Sequence, residues 1–129
     1  MSKCYWLLNH PVLMDQEKEL KKCFNIDEIL KAPESVLKFW SNIPVSKLLP
    51  ASCFNETINW LSNADSKDVV VIQGEPTATY RIVSFLKKKS VTVLAGITQR
   101  KSIESNEEGK VVKVSIYEHI CFREYVEWS

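Results

Sequence analysis

Four short polar stretches of this chain carry residue types that hold anions or move protons: Gln73-Gly74-Glu75-Pro76-Thr77-Ala78-Thr79-Tyr80, Asn9-His10, Thr98-Gln99-Arg100, and His119 with Arg123. The first follows Val69-Val70-Val71-Ile72, an aliphatic run suited to a strand covered on both faces. Gly74 permits a sharp turn at the strand's carboxyl end, and Pro76 suits the first turn of a helix. Unpaired N–H groups would then point out of the helix start, flanked by Thr77 and Thr79, in the layout of an anion or phosphate site. The same residues also make a plain tight connection. The turn has neither the second glycine and Gly-Lys-Ser/Thr ending of a P-loop nor the three glycines of a dinucleotide fingerprint.

Asn9-His10 follows the first apolar run, and Thr98-Gln99-Arg100 follows a later one, so both are expected on the same rim as Gln73-Gly74. Arg100 has the geometry to grip a phosphate with two N–H groups; otherwise it is a solvated cation at a strand edge. His10 is a general-acid candidate, or a turn residue before Pro11. Alternation puts His119, Cys121 and Arg123 on one face of the last strand, towards a ligand or towards solvent. Trp40 and Trp60 read as core or interface, with base stacking as the alternative.

The elements that must position these groups follow from periodicity. Strands are expected at residues 4–8, 26–31, 69–72 and 91–97. Helices are expected at 16–24, capped by Asp15, with Leu20, Cys23 and Phe24 inward; at 52–63, capped by Ser52, with Phe54, Ile58 and Leu61 on one face; and at 76–89, with Ala78, Ile82, Val83 and Leu86 inward. Pro33, Pro44 and Pro50 punctuate what reads as a long connection containing Trp40. Lys87-Lys88-Lys89 is a solvated helix end, favourable to the dipole. Strands alternating with helices imply an α/β fold with a mainly parallel sheet and crossover helices. Residues 100–105 and 110–122 form a C-terminal antiparallel β-hairpin around Asn106 to Gly109, with Val112, Val114 and Ile116 on one face. Such an edge could extend the sheet or build a dimer contact.

At 129 residues, without repeats or low-complexity linkers, one domain over 1–129 is expected. A formal net charge of +1 argues against a basic surface for long nucleic acid. Two histidines and four scattered cysteines (Cys4, Cys23, Cys53, Cys121) do not make a zinc pattern, so no metal and no cofactor is expected. The first apolar run is too short for a membrane span. Free cysteines and no visible export signal lead to the cytoplasm as the expected location.

Taken in order, several motifs make the chain similar to the small stand-alone ring nucleases of type III CRISPR systems. They are Leu7-Leu8-Asn9-His10, Trp40-Ser41-Asn42-Ile43-Pro44, Trp60-Leu61, Val71 through Tyr80, Thr98-Gln99-Arg100, and His119-Ile120-Cys121-Phe122-Arg123-Glu124-Tyr125. Glu75-Pro76 fills the slot where that family has an acidic and then a small residue. The resemblance implies a CARF-like, Rossmann-like form of the α/β fold and a homodimer. It also implies a cyclic oligoadenylate ligand, cyclic tetra-adenylate above all, bound across the two-fold axis. The implied reaction is metal-independent attack of a ribose 2′-hydroxyl on the adjacent phosphate, which leaves a 2′,3′-cyclic phosphate and ends an antiviral signal. On that reading His10, Thr98 and Arg100 carry catalysis. Asn9, Gln73, Gly74, Glu75, Thr77, Thr79, Tyr80, Gln99, His119 and Arg123 hold the ligand, with the backbone amides at Gly74, Thr77 and Thr79 on phosphate or ribose. The rivals are a non-catalytic module of the same fold that senses or sequesters the ring, and a protein-interaction subunit using the hairpin edge and the Trp40 loop.

Overall fold

The computed structural model describes residues 1–128. Five strands form one sheet: β1 Lys3–Leu7, β2 Glu28–Lys31, β3 Val69–Ile72, β4 Thr92–Glu107 and β5 Lys110–Glu124, in the order β2-β1-β3-β4-β5. The first four run parallel, and β5 returns antiparallel to β4. Successive side chains of β1 and β3 feed opposite layers. Cys4, Trp6, Val69 and Val71 pack with Leu20 of α1 (Met14–Cys23) on one face. Tyr5, Leu7, Val70 and Ile72 pack on the other with α2 (Glu34–Ser41), α3 (Asn55–Leu61) and α4 (Pro76–Lys88). Burial on both faces explains why β3 is four aliphatics in a row. The α/β class, the mainly parallel sheet and the antiparallel C-terminal pair agree with expectation.

Several expected elements are redrawn. The connection after Pro33 holds a helix, α2. Pro33 occupies the position before its first turn, where a missing N–H has no cost, and Val36 and Trp40 fall one turn apart, facing the core. Asp15 does not cap α1, which starts at Met14. Gln16 bonds back instead, its Oε1 accepting from the Leu13 N–H at 2.9 Å, and Gln16 is itself buried. Cys23 is exposed, not inward. A 3-10 turn at Ala51–Phe54 precedes α3, so Ser52 is not a cap, and Thr57 and Leu61 rather than Ile58 are fully buried.

The largest difference is at the carboxyl end. The expected strand at 91–97 and the first half of the hairpin are one strand, β4. It pairs with β3 only from Thr92 to Leu94 and then runs on with β5 as a two-stranded arm. Glu108 (φ 50) and Gly109 (φ 77) close the arm between the paired residues Glu107 and Lys110, the positive φ pair of a tight hairpin turn. A register shift between Ile97 and Thr98 leaves Ile120 as an extra residue in β5.

Candidate functional site

The carboxyl ends of β1 and β3 form the point where chain connections diverge, the usual ligand crevice of an open α/β sheet. Here α2 occupies it. The Trp40 indole N–H donates to the Gln73 carbonyl at 2.9 Å, and Ser41 Oγ donates to Asn9 Oδ1 at 2.9 Å. An added Cβ at Gly74 would lie 2.6 Å from Trp40 Nε1. Gly74 is not among the residues with positive φ, so glycine is needed for space beneath the indole rather than for an unusual backbone angle. The Gln73 side chain spans β3 and β4: its Nε2 donates to the Gly96 carbonyl at 3.1 Å and its Oε1 accepts from the Gly96 N–H at 3.0 Å. Gln73 is therefore a clamp between strands.

At the start of α4, Pro76 takes the first turn as expected, but the amides are not bare. Glu75 curls over them, its carboxylate accepting from Thr77 N at 3.1 Å, Ala78 N at 2.8 Å and Thr77 Oγ1 at 2.7 Å. Thr79 N is taken by the Glu75 carbonyl. The amides of Thr77 and Thr79, which the sequence offers to a phosphate, are thus bound within the helix start. The Thr77 hydroxyl and the two amides hold the Glu75 carboxyl below its ordinary range. The helix start presents an ionised carboxylate, suited to hydroxyl or amine donors; a phosphate would need Glu75 to swing away.

Beside this cap, a groove of about 430 Å³ is lined by Gln73, Gly74, Pro76, Thr79, Tyr80, Val83 and Tyr125. Thr79 is 8% exposed, and its Oγ1 has no hydrogen-bond partner. Tyr80 projects outward, 75% exposed. Tyr125 donates its hydroxyl to the Ile72 carbonyl at 2.9 Å, and burial pushes its phenol up. A second hollow of about 450 Å³ shares Tyr80, Val83 and Tyr125 and continues along Ser84, Lys87 and Trp128. Two neighbouring aromatic-walled hollows with a few polar groups suit a flat, partly polar ligand.

The other expected site residues lie apart from this groove. Asn9 and His10 line a separate hollow with Trp6, Pro11 and Lys31. His10 Nδ1 is 3.0 Å from the Pro11 carbonyl, and its own carbonyl accepts from the Trp6 indole. Thr98, Gln99 and Arg100 do not follow a strand end; they are inside β4, on the arm. Arg100 donates to Ser115 Oγ from Nε and Nη2. It sits four residues past Gly96, about 13 Å along the strand.

The bulge also splits the last group. His119 pairs with Thr98 and turns to α1, its Nε2 donating to Glu19 Oε1 at 2.8 Å, while Glu19 Oε2 accepts from the Phe122 N–H. The His119 side chain is 3% exposed, with Nδ1 unpartnered. Arg123 pairs with Ala95 and is exposed. The extra residue Ile120 shifts the alternation, so His119 does not share its face with Cys121 and Arg123. Sequence reasoning missed Tyr125 as a groove residue and Glu19 as the partner of His119. Only Tyr125 left a signal, as the last residue of the His119 to Tyr125 stretch that carries part of the family resemblance. Burial pushes the Cys4 thiol up to about 12, which makes it inert. No group of three or more His, Cys, Asp or Glu side chains gathers for a metal among the described residues, and no helix there is long and apolar enough to cross a membrane.

Fold and groove together define a small α/β protein whose candidate ligand groove lies at the carboxyl rim of a mainly parallel sheet. The chain belongs to the family described as Uncharacterized protein MJ1673, whose model matches residues 2–123. A relative, Uncharacterized protein MJ1673 of Methanocaldococcus jannaschii, is 30% identical over 131 residues, covering 97% of this chain and 98% of that protein. No solved structure matches.

Proposed function

We propose that the chain is a CARF-like, Rossmann-like ring nuclease that binds and linearises a cyclic oligoadenylate, cyclic tetra-adenylate above all, by attack of the ribose 2′-hydroxyl on the adjacent phosphate. The observation that carries this reading is the groove beside α4. It opens at the carboxyl rim of the sheet, it has Tyr80 and Tyr125 for a base, and Thr79 lines its wall with a buried hydroxyl that has no partner. The ionised Glu75 carboxylate at its edge would accept from ribose hydroxyls. The chemistry asks for in-line placement of a nucleophile that the substrate already holds, so a rigid rim is an asset. Trp40, Gln73 and Tyr125 each bond the backbone at the end of β3 and its neighbour.

One observation favours a second reading, a module that binds the ring without cleaving it. His10 and Arg100 stand away from the groove, in a separate hollow and on the arm, so the proton donor and phosphate cation expected for catalysis are not gathered there. Incubating the purified protein with labelled cyclic tetra-adenylate and a chelator separates these. Linear product over many turnovers is expected for the enzyme. Tight binding of an intact ring would leave the second reading. Neither binding nor cleavage of rings of any size would refute both.

A further inference from the structure

Another hollow, of about 560 Å³, lies between residues 43–49 and the start of α4; small-molecule sites run from about 300 to 1,000 Å³. Gly74 and Pro76 line the groove, whereas Glu75 and Thr77 line this hollow, so one turn of chain separates the two. Its apolar side is formed by Ile43 and Leu49, which pack against the core. Its polar groups divide by what they have left to give. Glu75 offers about four lone-pair directions, and the Thr77 and Ala78 amides and the Thr77 hydroxyl occupy three of them. The Thr77 hydroxyl proton is spent on Glu75, and the Ser46 proton on the Leu48 carbonyl at 2.9 Å. What remains on Glu75, Thr77 and Ser46 can only accept. Lys47 and Arg81, on the same hollow, can only donate. Arg81 is held in place: its Nη1 donates to the Leu49 carbonyl at 2.6 Å, and its guanidinium carbon lies 4.8 Å from the centre of the Phe54 ring. Its Nε–Nη2 edge, the fork that grips an oxyanion with two parallel bonds, is left for a ligand. Among the described residues, Glu75, Lys47 and Arg81 make no ion pair, with one another or with any other group. Opposite charges thus line one hollow and stay apart.

We propose that this hollow binds an α-amino acid with an apolar side chain, its ammonium on Glu75 and Thr77, its carboxylate on the Arg81 fork and its side chain against Ile43 and Leu49. An ammonium brings three donors and no acceptor, which matches the end that can only accept. A carboxylate brings acceptors alone, which matches the end that can only donate. A phosphate would meet the ionised Glu75, and a simple amine would meet two cations. A ligand with both charges satisfies both ends. Glu75 caps α4 and Arg81 lies six residues further on, about 9 Å along the helix axis. Two charge-assisted bonds of about 2.8 Å each, with the single carbon between ammonium and carboxylate, bridge a distance of that order. The site is separate from the groove and does not depend on the ring nuclease reading.

Titration of L-leucine into isotopically labelled protein, followed by NMR with no nucleotide present, tests the site apart from any activity. Saturable shifts are expected at the Thr77, Ala78 and Leu49 amides. N-acetyl-L-leucine lacks the ammonium and L-leucinamide lacks the carboxylate. Each should bind at least about tenfold more weakly than leucine, the scale of one lost charge-assisted hydrogen bond. Glu75→Gln and Arg81→Gln should weaken leucine by a similar factor while their thermal melts stay cooperative. If Arg81→Gln fails to fold without its tie to Leu49, the two capped analogues on the wild type decide. The proposal is overturned by the lack of a saturable shift at those amides, by either analogue binding as well as leucine, or by unchanged leucine affinity in a folded Glu75→Gln or Arg81→Gln variant.

Discussion

Replacing Gly74 by alanine should destabilise the chain through a single contact. The new methyl would sit 2.6 Å from Trp40 Nε1, 2.9 Å from Cε2 and 3.1 Å from Cζ2. The indole has little room to retreat, being 2% exposed and tied to the Gln73 carbonyl by its N–H. Overpacking a filled site costs about 1–3 kcal/mol. Displacing the indole also breaks a hydrogen bond and strands a carbonyl, about 1–2 kcal/mol. Because Gly74 does not use positive φ, alanine returns about 0.5–1 kcal/mol by narrowing the unfolded ensemble. The net loss is about 2–3 kcal/mol, and at about 4 °C per kcal/mol for a chain of this size it lowers Tm by about 8–12 °C. Circular dichroism and tryptophan fluorescence melts would measure it. A double-mutant cycle isolates the contact: with Trp40→Phe in place, the alanine should cost at least about 1 kcal/mol less than it does alone. A Gly74→Ala variant within about 0.5 kcal/mol of wild type, or strict additivity with Trp40→Phe, would refute this account of the β3 terminus.

Three more outcomes are expected. The Glu75 carboxyl is held below its ordinary range in the folded state, so its contribution is present above that range and is lost as pH falls through the folded value. Melts taken from neutral pH into acid should therefore fall less steeply for Glu75→Gln than for wild type, and parallel curves would discount the cap. Tyr125→Phe removes the 2.9 Å bond to the Ile72 carbonyl and should cost about 1–2 kcal/mol in denaturant unfolding; no change would mean that water replaces the hydroxyl. Thr79→Val keeps the shape and deletes an unpartnered hydroxyl, so it should hold or raise stability by up to about 1 kcal/mol. On the proposed function it should also weaken cyclic tetra-adenylate binding at least tenfold in calorimetry, and unchanged affinity would remove Thr79 from the site.

The arrangement of polar groups divides according to how local their causes are. Val69 to Ile72 could be read as a doubly covered strand, and Pro76 as the start of a helix, because each depends on a few adjacent side chains and on backbone limits. The hairpin around Asn106 to Gly109 was legible for the same reason. The helix Glu34–Ser41 was not, because its eight residues sit among prolines and its only strong signal is the Val36–Trp40 pair. The face of His119 was not legible either, since one extra residue in β5 inverts an alternation that is otherwise reliable.

By itself the sequence determined the α/β alternation, the parallel core strands and the strand-to-helix turn at Gly74, all consequences of period, propensity and turn chemistry. Only the tertiary structure decided what those pieces face. It placed Trp40 over Gly74, so the glycine serves packing, and folded Glu75 onto the amides that looked open to an anion. It carried Thr98 to Arg100 out along an arm, because β4 continues where β3 has ended. These outcomes depend on contacts between residues distant in the chain, such as Trp40 with Gln73 and Glu19 with His119. No local pattern encodes such pairs.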